Sequence, residues 1–194
     1  LSPLDRSLNQ LNLAQNKLTK LRGIGALDRL IELDLSNNAL TDIGPLSRLT
    51  RLRQLDLSSN RIDEISALSE LPLRALDLAN NKLVDLTPLA GLDRLISLFV
   101  FNNLVSDLSP LASLGRLEVL DLSVNRVIDL TPLANLGRLR QLSAIANRIV
   151  QLTPLLALED LQSVALIGNR LSAQAISVEV AQLRERGVEV ILGE

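Results

Sequence analysis

The stretch LRALDLANNKL, residues 73–83, decides the fold. It has close copies in LIELDLSNNAL at 30–40 and LEVLDLSVNRV at 117–127. All three fit the frame L-x-x-L-x-L-x-x-N-x-L, with Val, Ile or Ala standing in for some Leu. The Asn of this frame recurs as Asn16, Asn38, Asn60, Asn81, Asn103, Asn125, Asn147 and Asn169, at steps of 22 residues with one step of 21. A fixed period of this size marks an array of stacked units. In the frame, the last two Leu alternate with polar residues, the pattern of a short strand with one buried face. One such strand cannot close a core, so successive units must stack and share one. Stacking makes the strands parallel, about 4.8 Å apart.

The rest of each unit follows from the same reasoning. The recurring Asn comes where the chain bends after the strand, and its amide can bond backbone groups left unpaired inside the bend. The second half reads x-x-L-x-P-L-x-x-L-x-x, as in DLTPLANLGR at 129–138. Thr or Ser before Pro, as at Thr87-Pro88, Thr131-Pro132 and Thr153-Pro154, predicts a helix N-cap followed by Pro at the first helical position. The few residues left before the next strand allow one turn, of 3-10 type. Eight units begin at Leu8, Leu30, Leu52, Leu73, Leu95, Leu117, Leu139 and Leu161. We expect residues 8–171 to form eight repeats and 172–194 to form a C-terminal cap. In that cap Ile176, Val180 and Leu183 lie at helical spacing and VEVIL reads as an edge strand. Residues 1–7, with LSPL matching LSPL at 108–111, are expected to end a preceding repeat or cap, and the lack of an initiator Met suggests a piece of a longer protein.

The frames resemble the leucine-rich repeat family. Their 22-residue length and the DLTPLA wording are most similar to the bacterial internalin-type repeats, with the phosphatase-regulatory repeats of eukaryotes second. The resemblance implies an α/β solenoid, curved, with a parallel sheet on its concave side and short 3-10 or α turns on its convex side. It also implies binding of another protein or peptide, usually through the concave side.

Composition narrows the function. Hydrophobic residues make up 47% of the 194 and aromatics 1%, so Leu must fill the core. There is no His, Cys, Met, Trp or Tyr. The usual nucleophile–base pairs are therefore unavailable, and no Gly-rich phosphate loop occurs. A net charge of −2 argues against a nucleic-acid binder, and no apolar run is long enough to span a membrane. We expect a non-catalytic module with no cofactor and no metal. Its partner would be a protein or peptide, with a homodimer through the concave face as an open alternative. A regulatory segment docking inside a larger protein is the other reading. Location is left between the bacterial cell surface and the cytoplasm.

The two Phe residues locate the expected surface. Phe99 and Phe101, the chain's only aromatics, flank the inward-pointing Val100. Alternation sends both out of the core onto the open sheet. Ile145 and Ile167 share the column of Phe101, roughly 10 and 14 Å along the sheet, and Val119, Val124 and Ala165 border them, with Asp121, in the column of Phe99, a further expected contact. Leaving a Phe unburied forgoes roughly 1.5–3 kcal/mol, and aromatic anchors are typical of binding hot spots. The column of Phe99 holds Asp34, Asp56 and Asp77 in the earlier repeats. Like charges side by side repel, so these would favour a cationic partner, although Asp at this place can also serve local hydrogen bonding. Two basic rows (Lys17, Arg61, Lys82, Arg126, Arg148, Arg170 after the repeated Asn, and Arg29, Arg51, Arg94, Arg116, Arg138 at the ends of units) and an acidic row (Asp42, Glu64, Asp85, Asp107, Asp129) are expected to form weak surface pairs.

Overall fold

A computed structural model describes residues 7–193. Nine three-residue strands form one parallel sheet in chain order: β1 (Gln10–Asn12), β2 (Glu32–Asp34), β3 (Gln54–Asp56), β4 (Ala75–Asp77), β5 (Ser97–Phe99), β6 (Val119–Asp121), β7 (Gln141–Ser143), β8 (Ser163–Ala165) and β9 (Glu189–Ile191). The register is strict. Leu33, Leu55, Leu76, Leu98, Leu120 and Leu142 stand side by side and buried, and the residues flanking them face the concave side. A short 3-10 turn follows each of β1 to β7 on the convex side, as the spacing predicts. The core between sheet and turns is almost wholly Leu, Ile and Val, and neither Phe belongs to it. Among the described residues no helix is long and apolar enough to cross a membrane.

The repeated Asn does more than close its own bend. Asn103 Nδ2 donates to the carbonyls of Val100 (3.1 Å) and Phe101 (3.3 Å), and also to Leu78 of the preceding unit (3.0 Å). Its Oδ1 accepts from the backbone N–H of Leu83, 2.9 Å away. Each amide thus bolts two units together. The same set recurs at Asn38, Asn60, Asn81, Asn125 and Asn147. These amides satisfy backbone groups that burial would otherwise leave costly.

Three sequence expectations are corrected. Thr87, Ser109 and Thr131 are not caps. They occupy the first position of their turns, Pro the second, and their N–H groups donate to Asp85, Asp107 and Asp129 at 2.7–2.8 Å. A carboxylate is the stronger acceptor, and the hydroxyls of Ser109 and Thr131 donate to it as well, at 2.6 Å. The acidic row is therefore turn chemistry, and it does not pair with the basic rows: among the described residues one ion pair is formed, Arg140 to Glu118 at 3.5 Å, and it belongs to neither row. The third correction concerns the cap. A π-type turn at Ala175–Glu179 precedes α1 (Val180–Glu185). Its wider winding turns Ala175 and Glu179 inward beside Val180 and Leu183 and leaves Ile176 53% exposed. The cap expectation otherwise stands as a helix followed by the edge strand β9. The expectation for residues 1–7 falls, apart from Ser7, outside the described residues.

Candidate functional site

The concave face is built from three columns. The first strand residue and the third point to it, with the central Leu or Val turned inward. A further column follows after one buried residue and holds Ser36, Ser58, Ala79, Phe101, Ser123, Ile145 and Ile167. Backbone pairing sets Phe99 between Asp77 of β4 and Asp121 of β6. Both Phe side chains are half-buried and outside the core.

Phe99 divides the face into two hollows. The larger, about 470 Å³, crosses β1 to β5 and is lined by Glu32, Asp34, Asp56 and Asp77 together with Gln54 and Phe99 itself. The smaller, about 240 Å³, lies on the other side of the ring against Val119, Asp121, Ser143, Ala165 and Ile191. The expected patch is brought together in part. Phe101, Ile145 and Ile167 follow one another along the ladder, but Ser123 stands buried between the first two and donates or accepts at 2.8 Å with Ser143.

The concave carboxylates are held in place. Asp34, Asp56, Asp77 and Asp121 each accept through Oδ1 the backbone N–H two residues on, at 2.8–2.9 Å. Register aligns Asp34, Asp56 and Asp77 on neighbouring strands. Burial, then the neighbouring charges of Asp56 and Asp121, push the Asp77 carboxyl up to about 6, against the pull of its bond from Ala79. On the convex side the hydroxyl and backbone donors of Thr87, Ser109 and Thr131 hold Asp85, Asp107 and Asp129 below the usual carboxylate range. Among the described residues no group of three acidic side chains is close enough to hold a metal ion.

Sequence reasoning missed the larger hollow and one backbone feature. The residues before the repeated Asn sit in the left-handed region: Gln15, Asn37, Ser59, Asn80, Asn102, Val124 and Ala146 have φ between 52° and 56°, and Gly168 has 74°. Asn and Gly enrichment in that column was the available signal. Val124 is the outlier, a β-branched residue in this region and 38% exposed.

Two solved structures share this fold along all or nearly all of the chain. Internalin C2 of Listeria monocytogenes matches at 36% identity and TM-score 0.92, covering 100% of this chain and 84% of that one. The chain belongs to the internalin-like leucine-rich repeat family. An internalin (inlF) from the same organism matches at 35% identity and TM-score 0.91, over 97% of this chain but 55% of its own, so the present chain spans about half of that relative. A family model described as Leucine Rich repeats (2 copies) matches residues 28–70 and 73–113. The plant peptide hormone receptor RGFR1 in complex with RGF2 shares the fold at 21% identity and TM-score 0.80. No curated protein matches the chain. Repeats of this family commonly mediate protein–protein binding, and internalin-like modules are typically non-enzymatic.

Proposed function

We propose that this internalin-like chain is a non-catalytic module that binds a protein or peptide on its concave face. Phe99 and Phe101 are the anchors, and Val119, Val124, Ile145 and Ile167 extend the contact. Asp121, Asp34, Asp56 and Asp77 supply charge selectivity. The observation that carries this reading is that the only two aromatic side chains of the chain lie outside its core, one of them forming the ridge between two hollows. Rings at a ridge present area to a partner at low conformational cost, which suits a hot spot. An open sheet face is a poor place for catalysis, because it excludes little water. The site calls for no cofactor, and its acidic half disfavours nucleic acid.

The test uses peptides selected by phage display on the wild-type chain. The double change Phe99→Ala with Phe101→Ala is expected to weaken their binding at least a hundredfold by fluorescence anisotropy, with the far-ultraviolet circular dichroism unchanged. Undiminished binding by the folded double variant overturns the anchors.

A further inference from the structure

We propose that the larger hollow, over β1 to β5, takes an extended polypeptide segment of a partner that carries lysine or arginine side chains. This rests on the concave-face reading above and assigns the partner's chemistry at its N-terminal half. The argument begins with shape. Five strands span four steps of about 4.8 Å, roughly 19 Å, which is the length of about six extended residues. A trough of about 470 Å³ open along this line holds several side chains of a chain segment and far exceeds the volume of one ion.

Charge complementarity selects the occupant. Glu32, Asp34, Asp56 and Asp77 line the trough, and no basic residue does. The ion pair formed among the described residues, Arg140 with Glu118, lies outside it. Arg53 immediately precedes β3, yet its guanidinium donates to the carbonyls of Leu52 and Pro72, at 3.3 and 3.4 Å. The acids are also pre-oriented. Backbone N–H groups fix Oδ1 of Asp56 and Asp77, while Oδ2 of each has no donor among the described residues. Such fixed acceptors reward a cation without the entropy of ordering them. Phe99 closes the trough and offers its ring to an aliphatic stem or a cationic head. Beyond the ring, the hollow is lined by Val119, Ala165 and Ile191 with Asp121 as its one acid. Cationic side chains are thereby drawn to one half of the face and apolar ones to the other.

Proton linkage gives a signature. The groups facing Asp77 from the packed elements are Asp56 and Asp121, both acidic, with Asp34 and Glu32 further along the trough. A bound cation favours the ionised form of Asp77, so affinity rises as the carboxyl loses its proton between pH 5 and 7.

The probe is a fluorescein-labelled eight-residue peptide of alternating lysine and serine, read by anisotropy in low salt, with the glutamate–serine peptide as its counterpart. Two charge-matched double variants decide the matter: Asp56→Asn with Asp77→Asn in the trough, and Asp107→Asn with Asp129→Asn on the convex row. Asn keeps the Oδ1 acceptor, so both are expected to fold, which circular dichroism checks. The lysine peptide is expected to bind, to lose at least tenfold in affinity with the trough variant and less than twofold with the convex one. Its affinity is expected to rise from pH 5 to 7. Equal losses in the two variants, equal binding of the glutamate peptide, or no binding overturns the inference. If phage-selected peptides still depend on Phe99 and Phe101, that failure is confined to the partner's charge. Loss of the Phe dependence with lysine binding intact sinks the anchors alone.

Discussion

Asp77 on the concave side and Asp129 on the convex side make the same local bond. Each accepts, through Oδ1, the backbone N–H two residues ahead at 2.8 Å. Yet one carboxyl is pushed up to about 6 and the other is held below its ordinary value. The difference lies in what surrounds the bond. Asp129 gains a second donor, the Thr131 hydroxyl, and stands in solvent. Asp77 has Asp56 in register on one side and Phe99 on the other, with Asp121 beyond the ring, and water is partly excluded. A shared local motif therefore serves the turn on one side and leaves strained charge on the other.

The largest way to break this comparison is to remove the bolt between units. Asn103 lies close behind β5; two of its hydrogen bonds close its own bend and two tie that bend to the preceding repeat. Asn103→Ala strands the buried N–H of Leu83, at about 1–3 kcal/mol. It also takes one donor each from the carbonyls of Leu78, Val100 and Phe101, which keep Asn81, Asn125 and the Asn80 N–H as partners, at about 0.5–1.5 kcal/mol per lost bond. A loss of about 3 kcal/mol or more is expected, seen as a lower urea midpoint. A change below about 1 kcal/mol would mean that the units are held by Leu packing alone.

A smaller loss sharpens the meaning of the convex row. The row ends at Asp129, and the next unit carries Gln151 in its place. There the buried Glu179 of the cap takes over: Leu152 N–H donates to Oε2 at 2.6 Å and the Thr153 hydroxyl to Oε1 at 2.5 Å. Where the local carboxylate is missing, one arrives from 26 residues away. Glu179→Ala is expected to cost about 2 kcal/mol and to raise hydrogen exchange first in 172–193. Unchanged exchange in that segment would show that the cap is held by its apolar contacts.

The two acid rows also differ in the sign of their effect on stability. A carboxyl whose folded value is raised from 3.8 to about 6 destabilises the fold increasingly as pH rises through that window, because the folded state must give up a proton it holds more tightly than the unfolded chain does. Asp77→Asn is therefore expected to stabilise at pH 7.5 by about 1 kcal/mol, allowing for solvent screening of a partly exposed group. The gain is expected to fade toward pH 4.5. For Asp129, whose value is lowered, the sign reverses: its contribution is present above the unfolded value and lost as acid is added through the folded one. Asp129→Asn is accordingly expected to give no gain at pH 7.5. Equal responses in urea titrations across this range would show that the surroundings do not separate the rows.

The fold was legible because its causes are periodic. The Leu alternation fixed the strands, the Asn spacing fixed the stack, and the same alternation turned Phe99 and Phe101 away from the core. What stayed hidden depends on contacts that no single frame contains. The amide of Asn103 reaches back 25 residues to Leu78. Glu179 finds its partners across the cap. The trough over β1 to β5 arises where short side chains such as Asn12 and Ala75 stack beside a single large ring. Asp77 and Asp129 read alike in sequence because their bonds are alike, and only three-dimensional crowding distinguishes them.

The smallest effect bears on the rim of the same face. Val124 holds φ at 55°, where Asn80 and Asn102 of earlier units and Gly168 of the last sit without strain. A left-handed conformation costs an ordinary L-residue about 1–2 kcal/mol, and a β-branched one is the least suited to it. Val124 is also 38% exposed, so its methyl groups recover little by burial. Val124→Asn is thus expected to raise stability by up to about 1 kcal/mol, read as a higher urea midpoint. If Val124 belongs to the apolar half of the concave site, the same change weakens phage-selected peptides that depend on Phe101. It would leave the lysine–serine peptide, seated across Phe99, unaffected. Opposite signs for stability and binding at one residue would mark the strain as retained for contact. A stabilised variant that binds as before would remove Val124 from the surface and leave the ridge of Phe99 as the border of the two halves.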